Sequence, residues 1–267
     1  MTLILDGRKV RDQIAKQLRT KIKKLNQPPR LAIIQVGNLA ASNLYIKRKI
    51  KFAENIGAEV KHYLFPAQIS QNKLLAKIKK LNRTKNIHGI IVQLPLPEKI
   101  SREEIVAEID LKKDVDGLKS SSHFKPATAR GVLALLDYYK VKIAGQKAVV
   151  VGRSALVGKP IALALLARGA TVTICHRETE NLARETKLAD ILVVATGQPH
   201  LIKKKHVQAK QIVIDVGITL DKKGKLVGDV DYNNVAGRVR AISPVPGGVG
   251  PLTVAALFLN LFDAYKL

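Results

Sequence analysis

Apolar positions in this chain switch repeatedly between a short-strand and a helical period, most clearly between Lys147 and Arg177. Residues 148–151 form an apolar run rich in β-branched side chains, Gly152 follows at once, and from Pro160 the apolar spacing becomes helical until Gly169. Residues 170–175 then give a second apolar run, so the stretch reads as strand, tight loop, helix and strand. Such a βαβ unit implies two parallel strands joined by a right-handed crossover. The same patterning predicts further strands over residues 31–36, 60–65, 89–94, 190–195, 211–216 and 240–243. It predicts helices over 12–25, 42–56, 72–81 and 129–139, one opened by Ser101-Arg-Glu-Glu as a capping box, and a last one opened by Thr253 and running towards Tyr265. Strands alternating with helices make this an α/β chain.

The 267 residues suffice for one large or two modest domains with a sizeable core. No apolar stretch approaches the ~20 residues of a membrane helix, and the apolar run at the N-terminus is too short for a signal peptide, so the expected location is cytoplasmic, away from membranes. The one cysteine, Cys175, falls in a strand and reads as a core thiol. The six histidines are scattered without metal-binding spacing, so no metal is expected. A net charge of +25 changes the picture more. Lys and Arg concentrate over 16–24, 73–85 and 203–210, each beside a segment of helical apolar spacing, as solvated helix faces would be. Zinc-finger spacing, an RNP motif and aromatic-interleaved basic stripes are lacking and aromatics are 4 % of residues, which argues against specific nucleic-acid recognition. Steering of anionic small ligands remains compatible with the charge.

Two regions carry candidate chemistry. Wound at about 100° per residue, the helix over 42–56 gathers Tyr45, Ile46, Ile50, Phe52, Ala53 and Ile56 into one apolar arc, and Lys49 falls inside it. Lys47, Arg48, Lys51, Glu54 and Asn55 fall on the other side. An inward lysine either snorkels to the edge or is held for a purpose, because an unpaired buried ammonium is costly. Gln93 opens a rigid Gln-Leu-Pro-Leu-Pro exit from its strand, and Asp114-Val-Asp116-Gly117 offers an Asx turn, a fragment of a calcium loop or a ligand-binding carboxylate. In the βαβ unit, residues 154–158 open a helix where N–H groups and the positive dipole end suit a phosphate, although G-x-S-x-x-x-G matches the dinucleotide fingerprint only in part. Arg153, His176 and Arg177 stand where the adenosine ribose of a dinucleotide normally lies, which favours the 2′-phosphate of NADP; solvated loop charge is the plainer alternative. Thr196-Gly197 and Gly217-Ile218 close two more strands at their carboxyl ends, and Pro244-Val-Pro-Gly-Gly-Val-Gly-Pro251 forms a shaped loop with exposed N–H groups.

Tyr45-Ile-Lys-Arg-Lys49, Val92-Gln93-Leu-Pro-Leu-Pro97, Lys113-Asp-Val-Asp-Gly117, Val151-Gly-Arg-Ser-Ala-Leu-Val-Gly-Lys-Pro160, Ile214-Asp-Val-Gly-Ile218 and the 244–251 loop follow one another in the order of a known family. Together they resemble the bifunctional methylenetetrahydrofolate dehydrogenase/methenyltetrahydrofolate cyclohydrolase family nearly end to end. The resemblance implies an N-terminal α/β substrate domain over 1–120 completed by a C-terminal helix over 252–267, a Rossmann-type NADP-binding domain over 121–251, a folate cleft between them and a homodimer. It implies oxidation of 5,10-methylenetetrahydrofolate with NADP and hydrolysis of the product to 10-formyltetrahydrofolate, within one-carbon metabolism and purine biosynthesis. Lys49, Tyr45 and Gln93 match the catalytic positions, and Tyr45, Gln93, Asp116, Pro246, Gly247 and Gly248 the substrate-binding ones. Gly152, Arg153, Ser154, Val157, Gly158, His176, Arg177, Thr196, Gly197, Ile218 and Thr253 make up the expected cofactor site. The chain departs from the family at Pro126-Ala-Thr-Ala-Arg-Gly131, where Pro-Cys-Thr-Pro-x-Gly is usual, and over a shortened 118–125 segment.

Overall fold

A computed structural model describes residues 1–119, 121–221 and 224–267. In chain order the elements are β1 (Leu3–Ile4), α1 (Gly7–Ile22), β2 (Arg30–Val36), α2 (Ala40–Ile56), β3 (Glu59–Phe65), α3 (Gln71–Arg83), β4 (Gly89–Val92) and α4 (Arg102–Glu108). There follow α5 (Ala127–Tyr138), β5 (Lys147–Val151), α6 (Gly158–Leu166), β6 (Thr171–Cys175), α7 (Leu182–Lys187), β7 (Ile191–Val194) and β8 (Ile212–Asp215). The chain closes with β9 (Thr219–Leu220), β10 (Leu226–Val227), α8 (Tyr232–Val235), β11 (Ala241–Ile242) and α9 (Gly250–Ala264). These elements form two compact units, one of residues 13–127 and 254–267, the other of residues 1–12 and 128–253.

The first unit is built on a three-stranded parallel sheet in the order β3-β2-β4, with Leu31 paired to both Val60 and Gly89. Because alternate strand residues face opposite sides, β2 buries Ala32, Ile34 and Val36 on one face. That face packs on Leu74, Ile78 and Leu81 of α3 and on Ile105 of α4. Phe52 of α2 and Phe258 of α9 are also buried, with ring centroids 5.3 Å apart, so α9 completes this unit although it is the last element of the chain. Lysines and arginines over 16–24 and 73–85 are largely exposed, as their spacing predicts; Lys77 is half-buried with its ammonium 3.6 Å from the Tyr63 ring centroid.

The second unit carries a six-stranded parallel sheet in the order β1-β11-β8-β7-β5-β6. Strand order reverses at β5, between β6 and β7, which is the switch point where an open α/β sheet leaves a crevice at its carboxyl edge. Val149, Val151, Leu192, Val194, Val213 and Ile242 fill one face of the core, and Cys175 is buried among them.

The strands and longer helices lie where the apolar pattern predicts, within a few residues. The exceptions have local causes. Helix α1 begins at Gly7, not residue 12, because Asp6 Oδ1 accepts from Arg8 N at 2.9 Å and the Gly7 N–H donates to Gly247 O at 2.9 Å. Helix α9 begins at Gly250, which puts Thr253 in its first turn with its hydroxyl donating to Gly250 O at 2.9 Å. Ser101 caps α4 as expected, but its own N–H donates to Gln71 Oε1, so Glu104 does not complete the box. Residues 1–12 fall in the sheet of the second unit because Leu3 pairs in parallel with Ala241. Ser120, the expected end of the first domain, lies outside the described residues, and the break in contacts comes near residue 127.

Candidate active site

In the first unit, three elements bring three polar side chains to one place. Lys49 is half-buried on α2 and donates from Nζ to Gln93 Oε1 at 2.9 Å. Gln93 follows β4, and its Nε2 donates to Leu94 O at 2.9 Å, which fixes the amide so that its oxygen is the atom presented to the lysine. Asp116 supplies the opposite charge. Burial pushes the Lys49 pKa below its ordinary 10.5 while the nearby Asp116 carboxylate pulls it back up. Burial pushes the Asp116 pKa above 3.8, the Lys49 ammonium opposes that, and Asp114 adds to it.

The two carboxylates of the Asp-x-Asp-Gly turn divide the work. Asp114 is fully buried and accepts from the N–H groups of Leu118 at 3.2 Å and Lys119 at 3.0 Å, so it is the turn former. Gly117 has φ +69° and no room for a Cβ against the backbone at 124–126. The turn is tied to β4, where Ile90 N donates to Lys113 O at 2.8 Å, and to α9, where the buried Asn260 amide donates to Val115 O at 2.7 Å and Lys125 O at 2.9 Å. Asn260 was not anticipated; its signal is one amide inside an otherwise apolar helix. Tyr45 departs from the expected arc: it is 37 % exposed, one turn before Lys49, with the Arg48 guanidinium 5.6 Å from its ring centroid.

The expected cofactor residues lie in the second unit, together with Pro246, Gly247 and Gly248. A Cβ at Gly152, where φ is +121°, would overlap the Ala195 carbonyl, and one at Gly158 would overlap that of Gly152. Gly152 lets the loops after β5 and β7 touch at the switch point, and Gly158 lets the start of α6 close on the end of β5. Ser154 Oγ accepts from Gly158 N at 3.3 Å, with Val157 preceding the first turn of α6. This cradle and the N–H groups opening a nine-residue helix fit the pyrophosphate of a dinucleotide. Arg153, His176 and Arg177 surround Glu178, which was not anticipated. Ile218 is exposed and reaches the Gly250 position, 3.3 Å from where a Cβ would stand there.

Beneath these loops sit Asp215 and Asp229, also not anticipated. Asp229 is fully buried, and its Oδ2 accepts from Thr196 N at 2.6 Å, Thr196 Oγ1 at 3.0 Å and Gly197 N at 3.1 Å, while its Oδ1 has no hydrogen-bond partner. Asp215 accepts from the N–H groups of Gly217, Asp229 and Val230 at 2.9–3.1 Å. Even so, burial, with the Asp229 charge adding to it, pushes the Asp215 pKa up to about 7. Among the described residues no group of three or more His, Cys, Asp or Glu could hold a metal, and no helix is long and apolar enough to cross a membrane.

The family model described as the catalytic domain of tetrahydrofolate dehydrogenase/cyclohydrolase matches residues 5–116, and that for its NAD(P)-binding domain matches residues 126–267. A curated relative from Lactobacillus acidophilus, bifunctional protein FolD, is 46 % identical over 269 residues, covering 96 % of this chain and 95 % of its own. The crystal structure of the FolD methylenetetrahydrofolate dehydrogenase/cyclohydrolase of Campylobacter jejuni superposes with a TM-score of 0.96 at 39 % identity, covering 100 % of this chain and 99 % of that one. The Trypanosoma brucei enzyme, crystallised with NADP and an inhibitor, gives 0.93 at 33 % identity, over 99 % of this chain and 97 % of its own.

The raised Asp215 pKa has a consequence for stability. A folded-state pKa of about 7 against 3.8 means that the native protein binds the extra proton between those values, so the contribution of this group to stability is fully present below pH 4 and is lost as pH rises through 7. Relative to Asp215→Asn, wild-type unfolding free energy should fall by on the order of 4 kcal/mol across that window in urea titrations. Parallel pH profiles for the two proteins would contradict the assignment.

Proposed function

Since the chain belongs to the tetrahydrofolate dehydrogenase/cyclohydrolase family, we propose that it performs both reactions of that family. It oxidises 5,10-methylenetetrahydrofolate to the 5,10-methenyl form with NADP and hydrolyses that product to 10-formyltetrahydrofolate. The observation that carries the reading is the half-buried Lys49 held 2.9 Å from a fixed Gln93 amide beside Asp116. NADP, when bound, accepts the hydride; the chain's part in that step is to align the reacting carbons, and no general base is needed. In the hydrolysis Lys49 is the catalytic residue. Burial has lowered its proton affinity, so its ammonium can release and take up a proton as water adds to the methenyl carbon and the ring opens. Gln93 positions it, Asp116 binds the N–H edge of the pterin, and Tyr45 offers an exposed ring one turn away for stacking. Pro246, Gly247 and Gly248 add substrate contacts. Gly152, Ser154, Val157, Gly158, Thr196, Gly197, Ile218 and Thr253 hold the dinucleotide, and Arg153, His176 and Arg177 meet its 2′-phosphate. The product suits formyl transfer in purine biosynthesis, and the place of action is the cytoplasm. The positive charge steers anionic ligands and does not serve specific nucleic-acid binding.

The active species is a homodimer. In support, β6 is the edge strand of its sheet and exposes Ile174 at 39 %, while α6, which packs on it, exposes Leu163 at 64 % and Leu166 at 55 %. An edge strand beside exposed leucines needs cover.

Two measurements test these roles. Lys49→Met should lower cyclohydrolase turnover by about 10²–10⁴-fold with folding intact, while Lys51→Met, on the exposed side of α2, leaves both activities near normal. Full methenyl hydrolysis by Lys49→Met would make the lysine a snorkelling residue. In sedimentation runs, Leu163→Glu should shift a wild-type dimer towards monomer, and an unchanged dimer would remove the β6–α6 edge from the interface.

A further inference from the structure

The cations at the carboxyl edge of β5 and β6 converge on a single carboxylate. Glu178 Oε2 lies 2.6 Å from Arg153 Nη2 and 2.9 Å from His176 Nδ1, and Glu178 Oε1 accepts from Arg177 Nε at 2.9 Å. The two arginines come from different loops, so it is the carboxylate that draws them to one point. The Arg177 hydrogen bond, then the charges of Arg153 and His176, hold the Glu178 carboxyl below the usual carboxylate range. Solvent reaches all of these side chains, and exposed ion pairs contribute little, so the contacts can exchange for others. The backbone here does not depend on them: Gly152 N donates to Cys175 O at 2.8 Å and His176 N to Thr179 Oγ1 at 2.9 Å.

We infer that Glu178 is a specificity-determining residue for the dinucleotide: in the free protein it pairs with both Arg153 and Arg177, and a 2′-phosphate must compete with it for them. The inference rests on the NADP reading given above. A carboxylate and a phosphomonoester carry the same sign and seek the same donors, so bringing the second to arginines already paired with the first adds like-charge repulsion. A ribose with a free 2′-hydroxyl meets no such competition. Glu178 therefore narrows the discrimination between NADP and NAD, and removing its charge widens it.

Calorimetric titration of the full chain with 2′,5′-ADP and with 5′-AMP reads this without turnover. Wild-type protein should bind 2′,5′-ADP the more tightly, Arg153→Ala should lose that preference, and Glu178→Gln should strengthen 2′,5′-ADP binding about three- to tenfold while changing AMP binding less than about twofold. An unchanged thermal midpoint for Glu178→Gln shows that the fold is kept. If Glu178→Gln binds 2′,5′-ADP no more tightly than wild type, the competition does not exist, while the wild-type preference and its loss in Arg153→Ala leave NADP use standing. If wild-type protein binds the two ligands equally, the NADP reading fails and this inference fails with it.

Discussion

An ammonium taken out of water needs partners, and the first unit is arranged to supply them to Lys49. The lysine is carried on α2, whose buried Ile46, Phe52, Ala53 and Ile56 hold that helix to the core. Gln93 is carried by the exit of β4, where Gln93 N still donates to Ile34 O at 2.8 Å and so extends the pairing with β2. Asp116 is carried by a turn that Asp114 closes from within and Asn260 ties down from α9. Each partner is thus fixed by a different part of the core. Loss of any one leaves a desolvated charge or amide without its counterpart, which costs more than the hydrogen bond itself contributes.

The second unit solves a different problem, close approach of backbone. At the switch point the loops after β5 and β7 come so near that only glycine fits at 152, α6 starts so close to Gly152 that only glycine fits at 158, and the N–H groups of Thr196 and Gly197 turn towards Asp229. Asp229 is in turn framed by Asp215, whose own donors are backbone N–H groups at 217, 229 and 230. Rigid loops at that edge let one sheet present N–H groups for a pyrophosphate without ordering them at the moment of binding. The cations around Glu178 lie at the outer rim of the same edge, where exposure makes their pairing exchangeable.

Much of this was legible in the chain because it depends on local periodicity. The parallel strands, the βαβ unit and the inward position of Lys49 follow from spacing alone, and Arg153 with His176 and Arg177 from their place at strand ends. Tyr45 was misplaced because an apolar-looking arc does not say where the packing surface stops; its ring lies beyond that edge and is exposed. The spacing alone does not divide Asp114 from Asp116, because both are aspartates and only the folded turn tells which one faces N–H groups; it is the family resemblance that singles out Asp116. Asp229 and Asn260 were missed for one reason: their partners lie 32 to 33 and 135 to 145 positions away, beyond any short motif, and for Glu178 it is the tie to Arg153, 25 positions away, that the sequence does not show. Helix α1 starts early for the same cause, since Gly7 is held by Gly247.

At Lys49 the burial of the ammonium and the charge of Asp116 oppose one another. An NMR titration of the Lys49 side chain, assigned against Lys49→Arg, tests this at the atom concerned. Burial outweighing the carboxylate predicts a midpoint below 10.5, and Asp116→Asn should lower it further because the favourable charge is gone. A midpoint at or above 10.5, or one indifferent to Asp116→Asn, would contradict the account.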